Sequence, residues 1–158
     1  MIQGLELANA WAISLFANHT DKVYSMAFMP DSRLLMSGSS EATVRIWNIH
    51  NGTMQNTLLN NEGITSVAVS RNGQWVAAVS YDKCIHLWSI PPGEPLATAH
   101  VSNAHADSIY AASVMNGGRS LVTGSLDGTE VKFVVRPQLR DDLTVEYHGT
   151  IDGFRAYL

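Results

Sequence analysis

The feature that most constrains this chain is a repeat of 41–45 residues. Trp47 and Trp88 are 41 residues apart, and Phe133 follows 45 residues after Trp88. Stretches of alternating apolar and polar residues precede each aromatic residue, and turns rich in Gly, Asp and Asn separate them. This alternation is the pattern of β-strands joined by hairpins. The sequence therefore predicts an all-β chain made of one unit repeated three times.

Each predicted unit has four strands, and the third strand ends in the aromatic residue. A four-stranded unit that recurs with this period is typical of a propeller blade. The predicted segments are a strand of a preceding blade at 1–18, blades at 19–58, 62–100 and 105–148, and the start of a next blade at 149–158. We predict a single domain over residues 1–158 that forms an incomplete propeller, because propellers close with about four to eight blades.

Written out, the three units read HTDKVYSMAFMPDSRLLMSGSSEATVRIWN, EGITSVAVSRNGQWVAAVSYDKCIHLW and HADSIYAASVMNGGRSLVTGSLDGTEVKF. They resemble the blades of WD-repeat β-propeller proteins. They are most similar to consecutive blades of the fungal general transcriptional corepressor of the Tup/Groucho type. The segments GITSVAVS, WVAAVSYD, DSIY and GSLDGTEVKF carry this closer resemblance. The sequence departs from the family because no Trp-Asp pair ends a third strand.

The resemblance implies a buried hydrogen-bond chain in each blade. It links a His before the first strand, a hydroxyl in the second, an acid in the tight turn and a Trp in the third. The matching residues are His19, Ser37, Glu41 and Trp47 in blade one, Asp82 and Trp88 in blade two, and His105, Thr123 and Asp127 in blade three. Ala78 replaces the hydroxyl of blade two. His19 and His105 each lie 28 residues before the aromatic position, which favours a structural role over catalysis.

Blade geometry also predicts which residues lie on the narrower top face. They start each first strand or stand just before the tight-turn acid. The predicted partner-binding residues are Lys22, Tyr24, Ser40, Thr65, Tyr81, Ser108, Tyr110 and Leu126. Tyrosine is a frequent interface residue because it combines area, stiffness and a polar tip. Tyr24, Tyr81 and Tyr110 are thus the strongest functional signal; the alternative is that they only cap strand ends.

The resemblance implies a non-enzymatic protein–protein interaction scaffold. The implied protein is a nuclear corepressor whose top face binds DNA-bound repressors, so its partners are repressor peptides or a transcriptional complex. The alternatives are a cytoplasmic or nuclear WD-repeat adaptor in ubiquitin ligation, RNA processing or signalling, and a truncated, degenerate paralogue. An open run of blades leaves strand edges and faces uncovered. We expect missing blades or self-association to close the propeller.

Composition and motifs argue against other classes. The net charge is −4 and the ten Lys and Arg residues are scattered, so no basic patch for direct nucleic-acid binding is expected. No apolar run approaches the roughly 20 residues of a membrane span. In Gly124–Gly128 the serine stands one position too early for a nucleophile elbow. Cys84 is the only cysteine, and His100 and His105 lack a convincing third ligand. We expect no cofactor, metal or enzymatic activity.

Overall fold

Antiparallel strands make up most of the described chain. The structure is a computed structural model that describes the backbone of residues 2–5, 12–90, 98–137, 143–152 and 155–156, and side chains within 16–135. The strands are β1 (Ile2–Leu5), β2 (Ala12–Phe16), β3 (Val23–Phe28), β4 (Leu34–Ser39), β5 (Thr43–Asn48), β6 (Met54–Leu59), β7 (Ile64–Val69), β8 (Trp75–Ser80), β9 (Ile85–Ser89), β10 (Thr98–Val101), β11 (Ile109–Met115), β12 (Ser120–Ser125), β13 (Glu130–Pro137), β14 (Leu143–Asp152) and β15 (Arg155–Ala156). Among these described residues, no helix is long and apolar enough to cross a bilayer.

The strands form one meandering sheet for each repeat. Blade one contains β3 to β6, blade two β7 to β10, and blade three β11 to β14, while β1 and β2 pair separately before blade one. The all-β prediction is confirmed, and the described sheets lie side by side without closing a ring. Residues 149–152, which were predicted to start a next blade, instead belong to β14. Residues up to Asp152 continue β14, because Ile151 still pairs with Glu130, and β15 pairs back onto β14.

Apolar side chains pack between neighbouring sheets. Blade one contributes Met36, Val44 and Ile46 to the interface with blade two, where they meet Val67 and Val76. A second cluster joins blade two to blade three; it includes Trp75, Ala77, Ile85, Leu87, Ile109, Leu121 and Phe133. Every residue of β8 is buried, because both faces of the middle sheet are covered. Alternation along a strand thus divides its side chains between the two neighbouring sheets.

The outer faces of blades one and three have opposite character. On β3, Met26 is 55% exposed and Phe28 is 64% exposed. On β13, Glu130 and Lys132 pair with Gly124 and Val122. The corresponding positions of the other blades are apolar and buried: Val44, Ile46, Ile85 and Leu87. The far face of blade three is therefore partly charged, whereas blade one presents apolar side chains.

Gly38 marks the closest approach of β4 to β7. A Cβ at Gly38 would lie 2.4 Å from Cγ2 of Ile64 and 2.9 Å from Cγ1 of Val67. Gly124 occupies the same position in blade three, and there a Cβ would meet nothing nearer than Cβ of Ala111, at 3.9 Å. The two glycines are therefore a matched pair, one crowded and one open.

We expect Gly38→Ala to lower the free energy of unfolding by roughly 1–3 kcal/mol, the usual range for overpacking a core. Gly124→Ala should cost less than roughly 0.5 kcal/mol, as open positions usually do. Urea denaturation followed by tryptophan fluorescence measures both. Equal losses in the two variants would contradict the close contact at Gly38.

Candidate functional site: a tyrosine rim and the hydrogen-bond chains of the blades

The same backbone hydrogen bond closes one end of each blade. An amide just before the tight-turn acid donates to a carbonyl just before the first strand. The donor and acceptor pairs are Ser40 and Lys22 (2.9 Å), Tyr81 and Gly63 (3.2 Å), and Leu126 and Ser108 (3.0 Å). The Oγ of Ser108 also lies 3.5 Å from the carbonyl oxygen of Tyr81, which links blades two and three. The structure therefore brings these predicted top-face positions to one end.

A β-bulge sits at the second residue of each first strand. The pairing register shifts around Tyr24, Thr65 and Tyr110, and a bulge redirects the side chain that it carries. Tyr24 is 48% exposed and Tyr110 is 51% exposed. Thr65 is buried, and its hydroxyl lies within hydrogen-bond distance of the carbonyls of Val79 and Ile109. Contrary to the sequence prediction, Thr65 is not exposed on the top face, and its hydroxyl links blades two and three.

The three predicted tyrosines lie near one another across the blades. The rings of Tyr81 and Tyr110 meet edge to face, with centroids 5.8 Å apart and planes at 78°. Interaction with the side chain of Tyr24 raises the pKa of Tyr81. Gly63 leaves room for this arrangement, since a Cβ there would lie 3.2 Å from Cδ2 of Tyr81. We call Tyr24, Tyr81 and Tyr110 the tyrosine rim.

Acidic residues flank the tyrosine rim at one repeated position. Asp21, Glu62 and Asp107 each stand two residues before a blade's first strand. Oδ1 of Asp21 and Oδ1 of Asp107 accept hydrogen bonds from the next backbone amide, each at 2.7 Å. A hydrogen bond from Ser40 further lowers the pKa of Asp21. The predicted top-face residues include one cation, Lys22, against these three acids. The charge around the tyrosine rim is therefore negative.

Blade one holds a continuous buried chain below the rim. Nε1 of Trp47 donates to Oγ of Ser37 at 2.8 Å, and Oγ of Ser37 lies 2.6 Å from Nε2 of His19. Nδ1 of His19 lies 2.6 Å from Oε1 of Glu41. An ionised carboxylate only accepts, so Nδ1 carries the proton and Nε2 accepts the Ser37 hydroxyl. Burial lowers the pKa of His19 and favours this neutral form.

The carboxylate of Glu41 is held by several donors. Burial opposes its ionisation, but hydrogen bonds from Thr20 and Thr43 hold the pKa of Glu41 well below its usual range. Nη2 of Arg45 also lies 3.0 Å from Oε1 of Glu41. The carboxylate therefore stays ionised across the ordinary pH range and fixes the tight turn, a structural role.

Blade three has a shorter version of the chain. Nε2 of His105 lies 2.8 Å from Oγ1 of Thr123, and Nδ1 lies 3.2 Å from Oδ2 of Asp127. Burial opposes ionisation of Asp127, but hydrogen bonds from Thr129 hold the pKa of Asp127 well below its usual range. The ring of Phe133 has no N–H to extend the chain. His105, like His19, has both ring nitrogens engaged, which leaves neither free to act as a base.

Blade two replaces the chain with partners that the sequence pattern had not singled out. Asp82 accepts hydrogen bonds from the Ser80 hydroxyl and from the amide of Cys84. Its Oδ2 lies 3.0 Å from Nε2 of His86. Trp88 stacks on His86, with centroids 6.1 Å apart. A signal was available, because His86 stands four residues after the acid, where blade one has Arg45.

Comparison with known proteins agrees with this geometry. The family model described as WD domain, G-beta repeat matches residues 12–48, 52–89 and 93–129. Protein tipD of Dictyostelium discoideum is 30% identical over 115 residues, which are 72% of this chain and 18% of that protein. Autophagy-related protein 16 of Arabidopsis thaliana is 26% identical over 134 residues, 84% of this chain and 24% of that protein. The chain spans about a fifth of the length of these relatives.

A solved structure supports the fold. The structure of U3-55K superposes with a TM-score of 0.76 at 17% identity, over 95% of this chain and 44% of that one. The matched repeats are also offset from the sheets, since residues 52–89 contain β6 of blade one followed by β7 to β9 of blade two. Each repeat thus fastens two neighbouring sheets. The chain belongs to the WD40 family of G-beta repeats.

Proposed function

We propose that this chain is a non-enzymatic protein-interaction scaffold whose binding surface is the tyrosine rim. The observation that carries the proposal is the edge-to-face contact of Tyr81 with Tyr110 across blades two and three, next to Tyr24 of blade one, with Tyr24 and Tyr110 about half exposed. Tyrosines that only cap the ends of separate strands would not need to contact one another across blades. Rings held at fixed angles lose little conformational freedom when a partner covers them, which favours their use as interface residues.

The charges around the tyrosine rim define the partner's chemistry. Asp21, Glu62 and Asp107 recur at one position in the three blades, and tyrosine faces attract cations. We expect a peptide segment with Lys or Arg side chains that reach the acids while its apolar groups cover the rings. Leu126, 66% exposed, adds apolar surface at the blade-three end of this face.

The finer proposal is a nuclear corepressor-like protein that binds DNA-bound repressors or a transcriptional complex. This proposal rests on the sequence segments that resemble the Tup/Groucho-type corepressor. A second candidate is a WD-repeat adaptor outside transcription, which the match to an autophagy-related protein favours. The two candidates use the same rim, so identifying its partner separates them.

Photocrosslinking in cells tests the proposal. We expect a photoreactive phenylalanine analogue in place of Tyr24 or Tyr110 to crosslink the partner. The matched control carries the analogue at Met115, which lies at the opposite end of Tyr110's own strand and is 43% exposed. Sequence-specific repressors among the products would support the corepressor proposal, and other scaffold clients would support the adaptor. Yields no higher at Tyr24 and Tyr110 than at Met115 would contradict the rim.

The tyrosine rim also predicts what happens when its side chains are shortened to alanine. For a partner identified in this way, Tyr24→Ala with Tyr110→Ala should weaken binding roughly tenfold or more, because interface tyrosines often cost over 1 kcal/mol when removed. Met115→Ala should leave the dissociation constant unchanged. Isothermal titration calorimetry measures both, and an unchanged melting temperature shows that the double variant still folds.

A further inference from the structure

Three different metal-binding side chains meet at the tight turn of blade two. Oxygen of Asp82, Sγ of Cys84 and a ring nitrogen of His86 all lie within 4.8 Å of one another. The side chains of His86 and Asp82 are 15% and 12% exposed, so solvent reaches the cluster. The turn brings Asp82 close; Cys84 directly precedes β9 and stands two residues before His86, so extended backbone places the two side chains on one side.

This combination is peculiar to blade two. At the positions of Cys84 and His86, blade one has Thr43 and Arg45, and blade three has Thr129 and Val131. In those blades the turn acid is held by a histidine that precedes the first strand. Blade two instead supplies its histidine from β9, next to the thiol. The general architecture of a blade thus needs neither Cys84 nor His86.

We propose that Asp82, Cys84 and His86 form a site for a divalent transition metal ion, with Zn²⁺ the best match. Thiolate, imidazole and carboxylate are the donors that zinc takes in proteins, and thiolate disfavours Mg²⁺ and Ca²⁺. This site is independent of the tyrosine rim, so the test of either proposal leaves the other standing.

The observed distances fit such an ion. Oxygen and nitrogen donors at about 2.0 Å from a tetrahedral zinc ion stand about 3.3 Å from each other. Oδ2 of Asp82 and Nε2 of His86 are 3.0 Å apart, so a small opening admits the ion in place of the shared proton, which transfers through solvent to Nδ1 of His86 and keeps the imidazole neutral. The Cys84 thiol releases its proton to solvent on binding. Water fills the fourth position.

The second coordination sphere also orients the cluster. His100 of β10 pairs with His86 across the strands, and the two rings stack with centroids 6.2 Å apart and planes at 15°. Trp88 stacks on the same imidazole at 21°. These contacts limit rotation of the His86 ring about its side-chain bonds, and a ligand held in one orientation loses less freedom on binding.

Cobalt titration provides the test, because Co²⁺ reports a bound thiolate by its near-ultraviolet charge-transfer band and tetrahedral geometry by intense visible bands. We expect both signals with reduced full-length chain, and we expect Zn²⁺ to displace Co²⁺ stoichiometrically. Cys84→Thr, which installs the residue of the other two blades, should abolish the charge-transfer band and weaken Zn²⁺ binding at least tenfold. His86→Arg, the blade-one residue, should weaken Zn²⁺ binding similarly.

His50→Ala is the matched control, since His50 is exposed and lies outside the cluster; its titration should equal that of the wild type. Circular dichroism checks that each variant keeps its sheets. Absence of a thiolate band in the wild type would overturn the proposal, as would undiminished Zn²⁺ affinity in a folded Cys84→Thr variant. A band retained in His86→Arg would remove the histidine from the ligand set and overturn the site as described.

Discussion

Trp75→Ala is expected to lower the free energy of unfolding by about 3–5 kcal/mol, the range for truncating a large buried side chain. Trp75 is fully buried between blades two and three. Its Nε1 donates to the carbonyl of Gly118 at 2.9 Å, which joins β8 to the turn before β12. Alanine removes the ring from the interface and leaves that carbonyl without its donor.

Two companions separate packing from hydrogen bonding. Trp75→Phe keeps most of the apolar volume and should cost roughly 1–3 kcal/mol, mainly for the unsatisfied carbonyl. Leu59→Ala, at a side chain 76% exposed, should stay within about 0.5 kcal/mol. Urea denaturation monitored by circular dichroism gives all three values. A loss for Trp75→Ala no larger than for Leu59→Ala would show that blades two and three are not packed through this residue.

Ser37→Ala is expected to cost roughly 2–4 kcal/mol, although it deletes one oxygen atom. The Ser37 hydroxyl serves two buried groups, the indole N–H of Trp47 and Nε2 of His19. Removing the hydroxyl leaves both groups without a hydrogen-bond partner, and each buried unsatisfied polar group costs about 1–3 kcal/mol. The side chain of His19 is only 2% exposed, so water is poorly placed to replace the hydroxyl.

Thr123→Val is the matched control in blade three. It also removes one hydroxyl from the equivalent strand position, but Phe133 has no N–H to be stranded. The principal group that loses its partner is Nε2 of His105, so we expect roughly 1–3 kcal/mol and a smaller loss than for Ser37→Ala. Thermal unfolding of both variants gives the order. If Thr123→Val cost as much as Ser37→Ala, the indole bond would contribute nothing measurable.

The repeat period predicted the sheets because each repeat supplies the strands of one blade. The alternating side chains of those strands pack against the neighbouring blades. Trp47, Trp88 and Phe133 fall on the third strand of their sheets, where the spacing put them. The strand limits that differ lie at the edges: Thr150 and Ile151 of β14 still pair with β13, although a next blade was predicted to start at residue 149. Local pattern carries no information about how far an edge strand remains paired.

The candidate site was only partly predictable, since it depends on contacts between blades. The sequence pattern predicted three tyrosines on one face, but it did not reveal that the rings of Tyr81 and Tyr110 touch. Thr65 occupies the bulge position of Tyr24 and Tyr110, yet its short side chain turns into the interface and meets the carbonyl of Ile109. The strand pattern alone did not show that the neighbouring blade covers a small residue at this position.

The outer faces of blades one and three differ in character, and this difference affects how copies of the chain pack against one another. Head-to-tail stacking of copies would press Met26 and Phe28 against Glu130 and Lys132, and charged groups buried without partners are costly. Face-to-face pairing of two blade-one surfaces carries no such cost, and it is closed by symmetry, whereas head-to-tail contacts that do not close produce filaments. The charges on β13 therefore oppose filament formation through head-to-tail contacts.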